Sequence, residues 1–290
     1  MINSVAFIGL GAMGYRMAAH LPKVFEQVWV WNITFEKAEQ HAKQYGTHAV
    51  SLEQAVQADI IFSCLPTSKD VSELIEKNMP KAGAIWVDCT SGVPEDAKKL
   101  STFLAEHNVA FLDAPVSGQT IGAEKGTLTV MIGGDAQAFE RAYAAIVPFG
   151  GLIQHVGESG AGFAVKAVNN MLMAVNLWSV AEGFTTLKAH GVDLNSAMNC
   201  INASSGKSMV TESVLPQRIL NREFPLTFAL PLLAKDTGIA LNLAQEAKLP
   251  TPVLSLVQNL IQTANLTAQP ASDFSSAVKL YEQWTKITLE

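Results

Sequence analysis

Short apolar runs alternate with segments of helical periodicity through the first half of the chain. We predict strands at the apolar runs, which cover residues 4–10, 28–31, 48–50, 59–66, 84–90, 109–116 and 127–134. We predict helices at the segments between or after them, at 12–24, 35–46, 69–77, 94–107 and 135–147. Regular alternation of strands and helices predicts a parallel sheet that is covered by helices on both faces.

The pattern changes after about Gly162, where strand signals end and long helical segments follow. These segments cover roughly 163–190, 194–203, 209–221, 228–247, 252–266 and 271–286. Prolines stand between them or at their starts, where proline is tolerated. We therefore predict two domains. Residues 1–162 would form a sheet domain of the dinucleotide-binding kind, and residues 163–290 an all-helical domain for substrate binding and oligomerisation.

The composition provides a large core and argues against several classes of protein. Of the 290 residues, 49% are apolar and 16% are charged, and so weakly charged a chain indicates surface buried between subunits. The net charge is −6 and no basic run occurs, so we expect no nucleic-acid partner. The apolar stretch 167–183 contains three asparagines and Glu182, which favours a buried or dimer-facing helix over a membrane span.

Cysteines and histidines give no sign of disulfides or metal. The cysteines are Cys64, Cys89 and Cys200, an odd number with no CxxC spacing, so we expect reduced thiols and a cytoplasmic protein. The six histidines are scattered without a pair at helical spacing, so we expect no metal ion. A predicted strand begins within a few residues of the N-terminus, which leaves no room for a signal peptide.

The stretch GLGAMG follows the first predicted strand directly and opens a helical segment. In this context the first glycine permits a tight turn, the second lets a pyrophosphate approach the backbone, and the third lets helix and strand pack closely. We predict that the whole turn binds a dinucleotide coenzyme, NAD(P), through Gly9, Leu10, Gly11, Ala12, Met13 and Gly14. The predicted fold is α/β, with an N-terminal Rossmann-type doubly wound sheet and a C-terminal all-α domain.

The end of the second strand leaves the choice between NAD and NADP open. A carboxylate there would bind the ribose of NAD, and a nearby arginine would accommodate the 2′-phosphate of NADP. This chain has Asn32 and Ile33 at those positions, followed by Thr34 and Lys37, which we count as candidate coenzyme ligands with a slight lean to NADP. The alternative is that Thr34 caps the next helix and Lys37 is a solvated helix residue.

Three other strand ends carry polar or turn residues, and ligands of open α/β sheets bind at the carboxyl ends of strands. Strand 59–66 ends at Leu65 and Pro66, and DCTSGVP places Thr90 and Ser91 after strand 84–90. We assign these to the coenzyme; the alternative for the second pair is an ordinary helix cap.

The third strand end, in DAPVSGQT, places Ser117 and Gly118 where they can donate hydrogen bonds to a carboxylate, or simply form a turn. We predict that a loop punctuated by glycines joins this point to the strand at 127–134. The stretch GAGFAVKAVNN then carries a single lysine, Lys166, among small and apolar residues. Lys166 and Asn170 are four residues apart and share one helix face. A structural lysine more often lies beside other charges, so this pattern favours a functional lysine over a snorkelling one.

These motifs together resemble the β-hydroxyacid dehydrogenase family, whose members include 3-hydroxyisobutyrate dehydrogenase, tartronate semialdehyde reductase and the glyoxylate and succinic semialdehyde reductases. GLGAMG, a TSxxP-like turn, DAPVSG and GxxxKxxNN occur in the family's order along almost the whole chain. The later stretch FALPLLAKDTGIALNLA is similar to the family's lysine–aspartate helix.

The resemblance implies roles for the residues that match it. Lys166 would be the catalytic acid or base and Asn170 its substrate-orienting partner, while Ser117 and Gly118 would hold the substrate carboxylate. Lys235 would reach coenzyme and substrate from the helical domain. The chain departs from the family at Gln119, where many members have glycine, and at Ile33, where the usual NADP pattern has arginine.

We therefore expect an NAD(P)-dependent oxidoreductase that moves a hydride between the nicotinamide and a small β-hydroxyacid or its semialdehyde. Its small-molecule substrate carries a carboxylate, and the chain is expected to form a homodimer or homotetramer through the helical domain. Two alternatives stay open. One is an imine reductase, although those enzymes generally lack the lysine, and the other is a non-catalytic module that binds NAD(P).

Overall fold

The computed structural model describes residues 2–290, which form two compact units. The first unit ends at Lys166 and the second spans Ala167–Glu290. The boundary falls inside a long helix, whereas the sequence places it at the start of that helix.

One mixed sheet forms the centre of the first unit. In the described part of the chain its strands are β1 (Ser4–Ile8), β2 (Gln27–Trp31), β3 (His48–Ala49), β4 (Ile60–Ser63), β5 (Ile85–Asp88), β6 (Ala110–Asp113), β7 (Val116–Ser117), β8 (Leu128–Gly134) and β9 (Gly150–Gly157). The spatial order is β3-β2-β1-β4-β5-β6-β8-β7, with β9 pairing with β8.

The sheet is parallel from β3 to β6, as the alternation of strands and helices predicts, but it is not parallel throughout. Strand β8 runs antiparallel to β6 and to β7, with Leu112 opposite Gly134 and Ser117 opposite Thr129. Strand β9, which the sequence analysis did not identify, then pairs with β8 in parallel. The predicted strand 109–116 is divided into β6 and β7, which both pair with β8.

Both faces of the parallel strands are buried, which explains their continuous apolar runs. Val5 and Phe7 of β1 belong to the core on one face of the sheet, and Ala6 and Ile8 belong to the core on the other. Covering such a sheet requires helices on each face, and the intervening segments supply them.

The helices of the first unit largely follow the predicted segments. They are α1 (Gly14–Ala18), α2 (Phe35–Tyr45), α3 (Leu52–Ala55), α4 (Ser68–Lys77), α5 (Pro94–Ala105), α6 (Gln119–Lys125) and α7 (Ala136–Ile146). The predicted helix 12–24 is instead α1 followed by a separate 3₁₀ turn, Leu21–Lys23, with Pro22 inside it. The sequence analysis missed the single-turn α3, and it assigned the residues of α6 to a loop.

The second unit is helical. After α8 (Ala161–Ala189), in which it begins, come α9 (Leu194–Asn202), a π-helix (Val210–Ile219), α10 (Leu230–Glu246), α11 (Pro252–Thr267), a 3₁₀ turn (Phe274–Ala277) and α12 (Val278–Thr285). The π-helix replaces the predicted helix 209–221, and Pro216 inside it explains the change because proline cannot donate the regular helical hydrogen bond. A buried ion pair between Arg218 and Asp273 lies in this unit.

Candidate active site

The glycine-rich turn between β1 and α1 is closely packed on one side and open on the other. Gly9 has a φ of +95°, and a Cβ there would lie 2.5 Å from the carbonyl oxygen of Cys64. A Cβ on Gly14 would lie 2.0 Å from the carbonyl oxygen of Gly9. A Cβ on Gly11, by contrast, would meet no described atom within 4 Å. The turn therefore leaves space for a ligand against the backbone at Gly11, which fits the pyrophosphate of a dinucleotide.

Asn32 at the end of β2 holds this turn in place. Its buried side chain accepts a hydrogen bond from the Leu10 N–H over 2.9 Å and donates one to the carbonyl oxygen of Thr34 over 3.1 Å. Ile33, Thr34 and Lys37 are exposed. Thr34 occupies the N-cap position of α2, yet its side chain makes no capping hydrogen bond. These three side chains therefore lie on the surface beside the turn.

The ends of β4 and β5 are joined by a buried polar network. Asp88 accepts hydrogen bonds from the Ser63 hydroxyl over 2.9 Å and from the Thr90 N–H over 3.0 Å. The Thr90 hydroxyl in turn accepts from the Leu65 N–H over 3.1 Å. Two of the predicted coenzyme residues, Leu65 and Thr90, are thus held together, while Pro66 is exposed and Ser91 is partly exposed nearby in the chain.

Ser117 lies at the end of β7, and the chain turns sharply after it. Gly118 has a φ of +135°, which suits glycine, and Gln119 has a φ of +58°, which is uncommon for a residue with a side chain. This turn lets α6 begin at Gln119, in the region that the sequence analysis assigned to a loop. Ser117, Gly118 and Gln119 therefore form a compact corner between a strand and a helix.

Helix α6 is tied to α1, the helix that follows the glycine-rich turn. The His20 ring nitrogen Nε2 lies 2.8 Å from the carbonyl oxygen of Ala123, and Arg16 forms an ion pair of 3.9 Å with Glu124. The residues predicted to hold the coenzyme and those predicted to hold the substrate carboxylate are therefore mechanically connected within the first unit.

Lys166 lies on α8, whose first turn is capped by a distant carboxylate. Asp113 at the end of β6 accepts hydrogen bonds from the N–H of Gly160 over 2.7 Å and from the N–H of Phe163 over 2.9 Å. Burial raises the pKa of Asp113 to about 6 and the charge of Asp88 adds to the rise, while the two N–H donors oppose it. Sequence reasoning missed Asp113, although it is the first residue of the DAPVSG motif.

Asn170 lies one turn after Lys166 on α8 and is fixed by a second carboxylate. Its Nδ2 donates to Asp236 Oδ2 over 2.6 Å, and Lys235 Nζ lies 3.2 Å from Asp236 Oδ1. Asn170 and Asp236 are both buried. Because only the NH₂ group can donate to a carboxylate, Asp236 determines the orientation of the Asn170 amide. Its oxygen accepts a hydrogen bond from the neighbouring Asn169 Nδ2 over 3.1 Å, and an amide oxygen can accept a second one. The sequence motif contained Asp236 beside Lys235, but the analysis assigned a role only to the lysine.

The described residues contain no cluster of three or more His, Cys, Asp or Glu that could hold a metal ion. Within residues 2–290 we find no helix that is both long and apolar enough to cross a membrane.

Comparisons with known proteins match both units. A family profile described as the NAD binding domain of 6-phosphogluconate dehydrogenase matches residues 4–157, and one described as NAD-binding of NADP-dependent 3-hydroxyisobutyrate dehydrogenase matches residues 160–281.

Three similar proteins span nearly the whole chain. The 2-(hydroxymethyl)glutarate dehydrogenase of Eubacterium barkeri is 34% identical over 98% of this chain and 97% of its own length. The NAD-dependent L-serine dehydrogenase of Pseudomonas aeruginosa is 33% identical over 97% of this chain and 98% of its own. The structure of Mycobacterium tuberculosis 3-hydroxyisobutyrate dehydrogenase with L-serine superposes with a TM-score of 0.87 at 27% identity, covering 97% of this chain and 99% of that one.

Proposed function

Because this chain belongs to the β-hydroxyacid dehydrogenase family and is an NAD(P)-dependent dehydrogenase acting on CH–OH groups, we propose that its substrate is a 2-substituted 3-hydroxypropionate or the matching semialdehyde. The compounds named for its relatives, 2-(hydroxymethyl)glutarate, L-serine and 3-hydroxyisobutyrate, share one chemical unit. Each has a CH₂OH group on the carbon that carries the carboxylate, and they differ only in the third substituent of that carbon. We assign this shared unit to the substrate here.

The arrangement of Lys166 and Asn170 on α8 carries this proposal. In reduction, the Lys166 ammonium donates a proton to the oxygen on which negative charge develops, and in oxidation the neutral amine accepts that proton. The Asn170 amide oxygen, turned away from Asp236 and accepting from Asn169, uses its second acceptor site to orient the substrate hydroxyl and the lysine. The bound nicotinamide supplies or accepts the hydride.

Two anchors complete the proposed site. Ser117 and Gly118 bind the substrate carboxylate through the hydroxyl and the backbone N–H, and Gln119 lies beside the variable substituent. Lys235, held next to Asp236, contributes positive charge toward coenzyme and substrate. We assign coenzyme binding to the glycine-rich turn, which Asn32 holds in place, and to the exposed residues Ile33, Thr34 and Lys37. The loops at Leu65, Pro66, Thr90 and Ser91 complete the proposed coenzyme site.

A substrate panel tests the proposal. The purified enzyme is assayed with 3-hydroxyisobutyrate, L-serine, 2-(hydroxymethyl)glutarate and the corresponding semialdehydes, each with NAD(H) and NADP(H), alongside a cyclic imine. Turnover of at least one member that carries the shared unit is expected. Turnover of the imine alone would support the imine reductase, and coenzyme binding without any turnover would support a non-catalytic module.

We also propose that the enzyme acts in the cytoplasm as a homodimer or homotetramer. The three free cysteines suit a reducing compartment, and apolar side chains such as Leu172, Leu256 and Leu266 are exposed on the helical unit.

A further inference from the structure

The start of α8 is attached to the sheet by a carboxylate far away in the sequence. The first N–H groups of any helix lack partners inside the helix, and usually the residue just before the helix supplies the acceptor. Here Asp113 serves two of these donors, Gly160 and Phe163, from 47 and 50 residues earlier in the chain. The cap therefore fixes where α8 begins relative to β6.

The surroundings of Asp113 leave little freedom for movement. Its side chain is fully buried, and a Cβ on Gly133 would lie 2.6 Å from its Oδ1. A Cβ on Gly162 would lie 2.3 Å from the carbonyl oxygen of Met131, so the first turn of α8 is pressed against β8. The Phe163 ring packs just as closely over Gly92. The position of the first turn is therefore defined by several independent contacts.

We propose that Asp113 is a positioning residue for Lys166, holding the first turn of α8 so that the lysine one turn later meets the reacting oxygen. The inference rests on the role proposed for Lys166. Asp113 itself touches neither substrate nor coenzyme in this scheme and acts through the backbone of Gly160 and Phe163. A displacement of about 1 Å at a reacting group is enough to lower a rate by ~10²-fold.

Few other charges face the Asp113 carboxylate. On β5, Asp88 is its register partner, and the thiols of Cys64 and Cys89, whose pKa values are raised by burial, lie near Asp88. In the loop before α8, the carbonyl oxygen of Glu158 would contact the same Cβ on Gly133 as the Asp113 carboxylate, and α8 itself carries Lys166. His155 on β9 bonds to the carbonyl oxygen of Gly134 on β8.

The direct test replaces Asp113 with asparagine, which has almost the same shape but offers only one acceptor atom. Its NH₂ group would face one of the two N–H donors. We expect kcat to fall by ~10- to 100-fold, while the KM and the coenzyme dissociation constant change less than about twofold because the coenzyme turn is untouched. The primary isotope effect with deuterated coenzyme should rise, since the chemical step becomes slower.

Asp135→Asn is the matched control. Asp135 caps α7 by accepting from the Ala138 N–H over 2.7 Å, and α7 carries no site residue. This variant should shift the melting temperature but leave kcat unchanged. The proposal is overturned if Asp113→Asn keeps kcat within about twofold of the unaltered enzyme, or if it loses coenzyme affinity in step with kcat.

Failure of this inference is distinguishable from failure of the proposed function. If Lys166→Ala stays active, the role of the lysine is wrong and the positioning role falls with it. If Lys166→Ala is inactive but Asp113→Asn is fully active, only the positioning role is wrong. In a double variant, Asp113→Asn should cause no further loss once Lys166 is absent.

A pH profile of the unaltered enzyme tests the inference even if Asp113→Asn does not fold. The ionised carboxylate can accept from both N–H groups, and protonation removes part of this capacity. We therefore expect kcat for reduction to fall toward acid pH with a midpoint near the pKa of Asp113, about 6. Acid pH favours the ammonium form of Lys166, so the lysine does not cause this decline in reduction.

His155→Gln serves as the control for that profile, because glutamine can still donate to Gly134. The acid decline should persist in this variant and disappear in folded Asp113→Asn. A kcat that stays level down to about pH 5, or a decline that is abolished by His155→Gln, overturns the proposal.

Discussion

At the scale of single residues, we propose that the surface beside the glycine-rich turn sets the preference between NADH and NADPH. Asn32 makes hydrogen bonds within the turn and carries no charge, so the carboxylate that would repel a 2′-phosphate from this position is missing. We therefore predict that NADPH is used at least as well as NADH. A preference for NADH of about tenfold or more in kcat/KM, which corresponds to ~1.4 kcal/mol, would contradict this prediction.

The Ile33→Arg variant provides a second test of the preference between NADPH and NADH. Ile33 is 88% exposed, so the substitution costs little stability, and the guanidinium can reach a phosphate at the ribose. We expect kcat/KM for NADPH to rise by ~10-fold with kcat/KM for NADH unchanged. Ile33→Gln, of similar length but uncharged, should alter neither value.

Gln119 has a strained backbone and, in the proposed site, lies beside the 2-substituent of the substrate. A residue with a side chain in the left-handed region costs roughly 1–2 kcal/mol, and Gln119 has a φ of +58°. We predict that Gln119→Gly stabilises the enzyme by about 1 kcal/mol. We also predict that it lowers kcat/KM by ~5-fold for substrates with a polar 2-substituent, because one hydrogen bond to that substituent is lost. Substrates with an apolar substituent should be unaffected.

Asn108→Gly provides the comparison, because Asn108 has a φ of 57° and lies on an exposed turn before β6. Urea unfolding should show increased stability for both variants, with changed substrate preference only for Gln119→Gly. An equal change for every substrate would mean that Gln119 does not contact the 2-substituent.

Sequence reasoning at this scale selects residues by chemical type and spacing. It singles out Lys166 and Asn170, which are neighbours on one helix, because their relation is local. It does not reveal that Asp113 caps α8 or that Asp236 orients Asn170, because each contact joins segments far apart in the chain. The roles assigned to the site residues remain predictions.

At the scale of elements, burial of the ionised Asp113 carboxylate that caps α8 lowers the stability of the folded chain at neutral pH. The pKa of Asp113 in the folded chain, about 6, is higher than its ordinary value of 3.8. Burial therefore penalises the ionised form, and the stability contributed by Asp113 is full below pH 3.8 and declines as the pH rises through about 6. A carboxylate retained for stability alone would not be expected at such a position.

We predict that Asp113→Asn becomes more stable relative to the unaltered enzyme as the pH rises from about 5 to 8. Melting temperatures measured over that range give the difference at each pH. A loss of stability that is the same at every pH, caused by the missing hydrogen bond, is compatible with the prediction. The prediction concerns only how the difference in melting temperature changes with pH. A difference that is independent of pH would show that Asp113 is not protonated in the folded chain near pH 5.

Elements were predicted best where the pattern was long and apolar. Most helices and the strands of the parallel half of the sheet lie within the predicted ranges, except that β2 begins one residue early, at Gln27. Burial on both faces imposes continuous apolar runs on these strands. Strand β9 was missed because its residues are mostly half-buried or exposed, and α6 was missed because Gly118, Gly122 and Gly126 resemble a loop. The direction of β8 depends on its pairing with β6 and is not encoded in its own residues.

At the scale of the whole molecule, alternating strands and helices followed by helices alone gave the α/β fold class correctly. The exposed apolar side chains of the helical unit then lead to a prediction about assembly. Val168 and Leu172 are exposed one turn apart on α8. We predict that light scattering at micromolar concentration gives the mass of two or four chains.

Leu172→Glu should lower that mass or weaken the assembly. Lys43→Glu, on the exposed side of α2 in the first unit, changes a charge without affecting this apolar surface and should leave the mass unaltered. A monomer for the unaltered chain would contradict the prediction.

We propose that Lys166 exchanges the proton, while the coenzyme binds mainly through the glycine-rich turn far from Lys166 in the sequence. The most direct test of this proposal is steady-state kinetics of Lys166→Ala on the best substrate, with coenzyme titration followed by fluorescence. We predict a loss of ~10²–10⁴ in kcat with nearly unchanged coenzyme affinity, and partial recovery on adding methylamine. Lys166→Arg should be almost as inactive, because a guanidinium does not give up its proton near neutral pH. If Lys166→Ala kept more than about a tenth of the kcat, the loss would be smaller than that expected for removal of a general acid. The lysine would then be structural, and its proposed role in proton exchange would be wrong.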